Sequence, residues 1–307
     1  MTADVDYDDL GPLELIDTGG QGTVSRVQGR PGYVLKEYLP GVAVRADQLR
    51  LLIERPGLMT QNDRRAITEL TAWPTARVLR NGTCVGFLMP EAPERFHVRI
   101  QGLRRFLEIQ YLMTPAKPMW KDDLVLPSAA DRLEIVKQFA RLFHLLNSND
   151  IILGDVSMKN FFWTCADGLG VYAIDCDGFR INGHPPATVH AQTPGWADPH
   201  LRAGEATLDS DRYKLAILVL RLLLEDHHVT PERATADPAT LGRLDAALHP
   251  LVEQAAGADR RPRAEAWLHA LDGRPRMRLE PHVRRAPAAP SPPVLPPGRP
   301  RIVLPGR

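Results

Sequence analysis

The chain has few cysteines, no long apolar run and almost no net charge. Its three cysteines, Cys84, Cys165 and Cys176, have no paired spacing, so neither a disulfide framework nor a zinc site is expected. The longest apolar run, at 215–224, contains Arg221 and is too short to cross a bilayer, so we expect no membrane partner. The formal net charge of +1 gives no electrostatic reason to expect nucleic acid as a partner.

The composition that remains is that of a globular protein. Hydrophobic residues make up 44% of the chain and charged residues 24%, which supplies enough apolar material for a core. The acidic start of the chain shows no secretory signal, so a cytoplasmic location is expected. Strand patterns dominate residues 11–92 and helical patterns dominate 93–272, with Pro90 near the boundary. Residues 1–10 are expected to form a flexible N-terminus, and the Pro- and Arg-rich residues 273–307 a disordered tail.

Periodicity and turn residues predict the individual elements and an α+β fold class. Alternating β-branched residues predict strands, the Asn-Gly pair at 81–82 predicts a hairpin, and apolar residues at helical spacing predict helices. The predicted strands are 13–16, 23–27, 33–38, 76–79, 84–89, 151–153, 161–163 and 171–174. The predicted helices are 46–55, 63–72, 129–148, 211–225, 241–256 and 263–271.

The most informative stretch is 154–160, together with the aspartates that follow it. Asp155 can accept a proton from a hydroxyl group. Asn160, five positions later, offers a carbonyl oxygen of the kind that a hard divalent cation prefers. Asp177 adds a carboxylate after a short apolar run. Asp175 competes for the same role, because residues two apart on a strand face the same side.

A glycine-rich turn precedes these residues in the chain. Gly19, Gly20 and Gly22 lie between two predicted strands. Glycine suits a turn that approaches phosphate, because backbone N–H groups can reach the phosphate without a Cβ in the way.

The order of these motifs resembles the protein kinase-like superfamily, and in particular a divergent bacterial group of serine/threonine-kinase-like proteins. The order is a glycine-rich turn, a strand lysine, Asp-x-x-x-x-Asn, and then Asp beside Gly and Phe. The resemblance extends from residue 11 to about residue 272. It implies a bilobal protein-kinase-like fold, with a β-rich N-lobe at 11–92 and a mainly helical C-lobe at 93–272.

The resemblance also implies an ATP site. It assigns Gly19, Gly20, Gly22 and Val24 to the loop that covers the nucleotide phosphates, although Asp17 stands where the first glycine of that loop is usual. It adds Met89, at the end of the hinge strand, to the residues that contact the nucleotide.

Lys36 corresponds to the strand lysine that pairs with the phosphates of ATP. Its expected partner is a carboxylate on a helix. Glu54 is our preferred residue for this role, with Asp47 and Glu69 as alternatives.

The resemblance gives the remaining polar residues catalytic roles. It implies that Asp155 orients and deprotonates the acceptor hydroxyl, and that Asn160 and Asp177 bind Mg²⁺ or Mn²⁺. Asp175 remains the alternative metal ligand. Gly154 replaces the arginine that normally binds a phosphate on the activation segment, so we predict no activation by that switch.

Further positions bear on the activation segment and on the catalytic loop. His200 stands where a glutamate usually pairs with an arginine, here Arg261, and Asp198 is the candidate to replace it. Asp211 corresponds to the helix-start aspartate that braces the catalytic loop. Ser157 stands where many protein kinases carry a lysine.

The function that we predict is an ATP- and Mg²⁺-dependent protein kinase that acts on Ser or Thr of a protein substrate. One alternative is a pseudokinase that acts as a nucleotide-binding or scaffold module. A second is a kinase of small molecules, against which the segment 193–195 and the helix after Arg261-Pro262 argue. Simple disorder is the favoured interpretation of the Pro-rich tail, and a polyproline segment that binds a regulatory partner is the alternative.

Overall fold

Six strands in the first ninety residues form one sheet. They are β1 (Val5–Asp6), β2 (Leu13–Thr18), β3 (Gly22–Val27), β4 (Tyr33–Tyr38), β5 (Ala76–Arg80) and β6 (Thr83–Pro90). Their order in the sheet is β1-β5-β6-β4-β3-β2. Strand β1 is parallel to β5, and all other neighbours are antiparallel.

The computed structural model describes residues 4–166, 168–188, 193–202, 204–258 and 260–273. These residues belong to one compact unit. The predicted Pro- and Arg-rich tail, apart from Gly273, lies outside the described residues.

The sheet separates two groups of buried side chains, because neighbouring residues of a strand point to opposite faces. Leu35 of β4 and Leu88 of β6 pack in a small cluster on one face. Val34 and Tyr38 of β4 join the main core on the other face. Lys36 lies between these two residues in the strand and therefore on the face of the main core.

The turn between β5 and β6 confirms the hairpin that Asn81 and Gly82 predict. Both residues have positive φ values, of 51° and 75°, as the tight two-residue hairpin turn requires. Arg80 and Thr83 are paired on either side of the turn. The local sequence alone therefore determines this part of the sheet.

The N-terminal residues are part of the sheet, so the prediction that residues 1–10 are flexible was wrong for the described residues 4–10. Val5 of β1 is paired with Val78 of β5. Asp4 forms an ion pair with Arg77 at 2.6 Å, and Leu10 is buried in the small cluster.

Two helices follow β4 in the chain, α1 (Ala46–Glu54) and α2 (Gln61–Leu70). Leu49 and Leu52 of α1 and Ile67 of α2 are buried in the main core. The Thr60 hydroxyl caps α2 by accepting the N–H of Asp63 at 3.1 Å, as residues at helix N-caps do.

Six short strands follow in the second part of the chain. They are β7 (His97–Ile100), β8 (Leu103–Phe106), β9 (Ile151–Ile152), β10 (Phe161–Thr164), β11 (Gly170–Ala173) and β12 (Arg180–Ile181). They pair as β7-β8, β10-β11 and β9-β12. The segment 153–160 runs from β9 to β10, and 174–179 runs from β11 to β12. The pairing therefore brings these two polar connectors side by side.

Helices are the main regular elements of the described chain after residue 128. They are α3 (Ala129–Ser148), α4 (Leu208–Leu224), α5 (Pro231–Ala236), α6 (Pro238–Leu241), α7 (His249–Ala256) and α8 (Ala264–Leu271). Helix α4 is buried over most of its length and packs against α3, which also packs against α8. The predicted helix at 241–256 is interrupted, because the Asp245 carboxylate accepts the N–H of Ala247 at 2.8 Å and starts a separate turn.

The fold is therefore α+β, with a strand-rich first part that contains the six-stranded sheet and a mainly helical second part. This confirms the predicted fold class. Across the described part of the chain, no helix combines the length and the apolar character needed to cross a membrane.

Candidate functional site

A cleft of about 550 Å³ lies between the six-stranded sheet and the two polar connectors. Its walls contain all residues predicted for the nucleotide except Glu54, namely Gly19, Gly20, Gly22, Val24, Lys36 and Met89. From the polar connectors, Asn160 and Asp175 also line the cleft. The predicted residues Asp155 and Asp177 are not among its lining residues.

The glycine-rich turn joins β2 to β3 at one wall of the cleft. The N–H of Gly19 donates to the carbonyl oxygen of Gly22 at 2.8 Å. A Cβ on Gly22 would lie 2.5 Å from the carbonyl oxygen of Glu37, so glycine is required for β3 to approach β4 at this point. Val24 is paired with Lys36 across the same two strands, and the turn is thereby held next to the lysine.

Lys36 is almost completely buried, with 5% of the residue exposed. Its ammonium nitrogen lies 2.7 Å from Oδ1 of Asp177 and 3.3 Å from Oδ1 of Asp175. Burial by itself lowers the pKa of Lys36, but the negative charges of Asp177 and Asp175 outweigh burial and raise the pKa above its ordinary value. Lys36 is therefore a fixed cation at neutral pH.

The partners of Lys36 correct the prediction that Glu54 fills this role. Glu54 is exposed at the last position of α1, while Leu52 and Ile53 take the buried positions of that turn. Its charge acts on Arg77, whose pKa it helps to raise. The carboxylates that pair with Lys36 lie in the connector after β11 and not on a helix.

The two alternative helical carboxylates lie at the surface. Asp47 is exposed in the first turn of α1, where it accepts a hydrogen bond from Gln48 at 2.9 Å. Glu69 of α2 is paired with Arg65 at 2.7 Å.

Asp175 and Asp177 both contact Lys36 but differ in exposure. The side chain of Asp177 is fully buried, and its second oxygen accepts a hydrogen bond from the Tyr38 hydroxyl at 3.3 Å. The side chain of Asp175 is 38% exposed and lines the cleft. Asp175 thus offers a carboxylate to the cleft, whereas Asp177 is buried beneath it.

The backbone at Asp175 explains this difference. Asp175 has φ 57° and ψ 36°, a left-handed conformation that few non-glycine residues adopt. The chain turns at this residue and continues as a short 3-10 helix over Cys176–Gly178. Strand alternation therefore ends at Ile174 and does not extend to Asp177.

Asn160 lies at the edge of β10 and faces the same cleft. Its backbone carbonyl accepts the N–H of Ile174 at 2.9 Å, which ties the two polar connectors together. Its side-chain nitrogen donates to the carbonyl oxygen of Asp155 at 3.5 Å. This hydrogen bond leaves the amide oxygen available to a cation.

Asp155 is held by Thr193. Its Oδ1 accepts the backbone N–H of Thr193 at 3.0 Å and the hydroxyl at 2.9 Å, and its Oδ2 lies 3.2 Å from the same hydroxyl. Asp155 lines a separate small cavity of about 140 Å³, together with Arg45 and Arg180. The carboxylate is thus fixed beside a hydroxyl group, which is the kind of group that it was predicted to orient.

A buried cluster below this loop fixes its backbone. The carboxylate of Asp211, at the start of α4, accepts the N–H of Leu153 at 2.8 Å and the side-chain N–H of Asn147 at 3.0 Å. Lys214 donates to the carbonyl oxygen of Gly154. Burial raises the pKa of Asp211, against the opposing charge of Lys214. Burial also lowers the pKa of Lys214, although Asp211 acts in the opposite direction.

A second buried ion pair supports the segment after Thr193. Arg261 binds both oxygens of Asp198, at 2.5 and 2.8 Å, and each of the two side chains is 2% exposed. His200 is exposed. The ion pair that the sequence suggested between Asp198 and Arg261 is therefore present.

Sequence analysis missed two residues of the cleft region. Tyr38, which donates a hydrogen bond to Asp177, lies two positions after Lys36 in β4. Its side chain therefore points to the same face of the sheet, and its proximity to the site could have been inferred. Glu108 lines the cleft, and burial raises the pKa of its carboxyl group. No motif marks Glu108, because only the folding of the chain around β8 brings it to the cleft.

The donor set of the cleft fits a cation that is held mainly by phosphate. Within the described ranges, no three His, Cys, Asp or Glu side chains gather into a metal site. Mg²⁺ at phosphate-binding sites needs only one or two carboxylates, because substrate phosphates and water supply the other ligands. Asp175 and the amide oxygen of Asn160 meet that requirement.

Comparison with known families and with curated proteins gave no relationship. No family model matches the chain, and no curated protein matches it.

Proposed function

We propose that the chain is an ATP- and Mg²⁺-dependent protein kinase with a bilobal protein-kinase-like fold. It transfers the γ-phosphate of ATP to a Ser or Thr hydroxyl of a protein substrate. The observation that carries this proposal is the content of the cleft. One cavity brings together the glycine-rich turn, the buried cation Lys36, the exposed carboxylate of Asp175 and the amide of Asn160.

Each group of residues in the cleft has a separate role in phosphoryl transfer. Backbone N–H groups of the turn at 19–22 cover the phosphates, and Lys36 neutralises part of their charge. The apolar residues Val24 and Met89 line the remaining part of the cleft, where a base can stack. Catalysis of this kind depends on positioning and on neutralisation of charge, more than on covalent chemistry.

Asp155 orients the hydroxyl that receives the phosphate and accepts its proton. Support for this role comes from its hydrogen bonds to Thr193 and from the backbone around it. Asp211 accepts the N–H of the preceding Gly154, and Asn160 donates to the carbonyl oxygen of Asp155. Asp175 and Asn160 would hold Mg²⁺ or Mn²⁺, and Asp177 acts one step further away, as the anchor of Lys36. When bound, the metal ion neutralises the charge that develops on the phosphate oxygens.

The test is transfer of label from γ-labelled ATP to the protein itself and to a generic protein substrate, with Mg²⁺ or Mn²⁺. Wild type is compared with Asp155→Asn and Asp175→Asn, and with Asp122→Asn as a control at an exposed position outside the cleft. We expect label with wild type and the control, and its loss in both Asp155→Asn and Asp175→Asn. Full activity of Asp155→Asn and Asp175→Asn would overturn the assignment.

A nucleotide-binding pseudokinase is the second candidate. The observation that favours it is the engagement of two predicted catalytic carboxylates, Asp177 by Lys36 and Tyr38 and Asp155 by Thr193. ATP that raises the melting temperature of the wild type without any transfer of label would support this candidate.

A further inference from the structure

The segment that follows the six-stranded sheet builds a second groove, of about 580 Å³. We call it the hairpin groove, because the β7-β8 hairpin forms one of its walls. Its floor contains the buried side chains of Met113 and Trp120. Its walls carry Leu103 and Met119, which are 58% and 61% exposed. Exposed apolar side chains gathered around an apolar floor mark a surface that binds another molecule.

The hairpin groove is held open by contacts between its walls. The N–H of Gln101, at the tip of the hairpin, donates to the carboxylate of Asp123 at 2.9 Å. The side-chain amide of Gln101 also donates to the carbonyl oxygen of Met119 at 3.2 Å. The rings of Tyr111 and Trp120 meet edge to face, with centroids 5.4 Å apart. The groove therefore exists before anything binds, which lowers the entropic cost of binding.

The charged groups that line the hairpin groove are cationic. Arg105 and Lys117 lie along it, and both are exposed. The described residues that line it include no Asp or Glu. An apolar groove with cationic groups at its rim is complementary to a segment that carries both apolar and acidic side chains.

The hairpin groove is continuous with the cleft. A cavity of about 520 Å³ lies between them. This cavity shares Arg105 and Tyr111 with the groove, and Glu108 and Lys159 with the cleft. A chain in the groove can therefore extend toward the cleft.

The loop that carries Asp155 also reaches the groove. Met158 lines the groove, and it follows Asp155 by three positions, a separation that an extended chain spans in about 10 Å. Met158 therefore places one end of this loop at the groove.

We propose that the hairpin groove is a docking site for the protein substrate, a proposal that rests on the proposed kinase function. The bound part of the substrate is an extended segment with Leu-, Ile- or Met-type side chains that fill the groove. Asp or Glu side chains of the same segment pair with Arg105 and Lys117. The hairpin groove thus selects substrates whose phosphorylated hydroxyl lies near acidic and apolar residues.

The test measures peptide binding without nucleotide, by fluorescence anisotropy of three labelled peptides of equal length. One alternates Leu and Glu around a central Ser, one has Lys in place of Glu, and one has Ser in place of Leu. The full chain is compared with the double variant Arg105→Glu/Lys117→Glu and with Lys121→Glu. Lys121 is an exposed lysine of the same segment that does not line the groove, so it controls for the change of charge.

We expect the wild type and Lys121→Glu to prefer the Leu/Glu peptide. The double variant should bind that peptide at least about tenfold more weakly and should shift its preference toward the Leu/Lys peptide. Equal binding of all three peptides by the wild type, no binding of any of them, or an unchanged preference in the double variant would overturn the proposal. Thermal unfolding of each variant verifies that it is folded.

Transfer assays separate the two proposals. If both are right, the double variant raises KM for the Leu/Glu peptide and leaves KM for ATP unchanged. Preferential binding of the Leu/Glu peptide without transfer of phosphate to any peptide or to the protein itself would refute the kinase function and retain the groove. Transfer with no difference among the peptides would refute the groove and retain the kinase function.

Discussion

Lys36 and Lys214 are both buried lysines in ion clusters, yet the two clusters have different surroundings. Lys36 contacts two carboxylates, and one of them, Asp175, is partly exposed to the cleft. Near Lys214 the carboxylate of Asp211 is fully buried, and backbone N–H groups and Asn147 take up its oxygens. The first cluster therefore has an excess negative charge that faces a cavity, and the second is closed to solvent. The same pair of residue types gives a binding site in one place and a structural brace in the other.

The largest effect is expected from opening the closed cluster. Asp211→Ala removes the largest of the opposing charges that act on buried Lys214 and the acceptor for the N–H groups of Leu153 and Asn147. Removal of a buried charge that opposes another costs about 3–5 kcal/mol of unfolding free energy. Denaturant titration measures this loss, with Asp211→Asn as the variant that keeps one acceptor. A change of less than about 1 kcal/mol, as expected at an exposed position, would show that the cluster is not a brace.

The next effect is expected on activity rather than on stability. Asp175→Asn removes the negative charge that faces the cleft, so transfer of phosphate should fall on the order of 10²–10³-fold, as for other groups that stabilise charge in a transition state. Because Asp175 is partly exposed, its ion pair with Lys36 contributes about 1 kcal/mol or less. Initial rates and denaturant titration of the same preparations measure both quantities. A large loss of stability with activity retained would instead indicate that Asp175 has a structural role, as Asp211 does.

A smaller effect is expected at the anchor of Lys36. Asp177→Asn keeps a side chain that can accept from Tyr38 but removes the buried negative charge, at a cost of about 1–3 kcal/mol in stability. Lys36 then pairs with Asp175 alone, and KM for ATP should rise more than kcat falls. Initial rates at increasing ATP concentration measure the changes in KM and kcat separately. Tyr38→Phe is the control, because it leaves both charges in place. A fall in kcat alone, at unchanged KM, would instead support Asp177 as a metal ligand.

The smallest effect is expected from pH. The pKa of folded Lys36 is raised, so the stability that its charge contributes is complete below the ordinary lysine pKa of 10.5 and is lost as pH rises through the folded pKa above it. The pKa of folded Lys214 is lowered, so the cost of its charge falls as pH rises from that lower pKa toward 10.5.

The two lysines should therefore respond to alkali in opposite directions. Unfolding free energies of wild type, Lys36→Met and Lys214→Met, measured from pH 7 to 11, give the contribution of each lysine as a difference from the wild type. Each slope is at most about 1.4 kcal/mol per pH unit. Slopes of the same sign would remove the electrostatic distinction between the two clusters.

Local sequence was sufficient for elements whose residues interact with near neighbours. The hairpin at Asn81-Gly82 depends on two turn residues, and α3 has the predicted bounds because its apolar spacing and its Ser128 cap lie within one stretch. By contrast, β1 forms by parallel pairing with a strand more than seventy positions away, and no periodicity in two residues can predict that.

The same distinction between local and long-range features applies to the candidate site. The glycine-rich turn, Lys36 and Asn160 could be selected from residue type and spacing, and all line one cleft. The partner of Lys36 could not, because Asp177 lies 141 positions further along the chain. The difference in exposure between Asp175 and Asp177 depends on a single left-handed residue, which the residue types around the two aspartates did not indicate.

The short strand β1 also bears on self-association. It covers the outer side of β5, whose backbone N–H and C=O groups would otherwise form an open edge to which a strand of another molecule could add. A two-residue strand offers very little edge of its own, so it ends the sheet without creating a new place for addition. Trimming the chain back to Leu13 would leave β5 uncovered, and the shortened protein would be prone to aggregate through that edge.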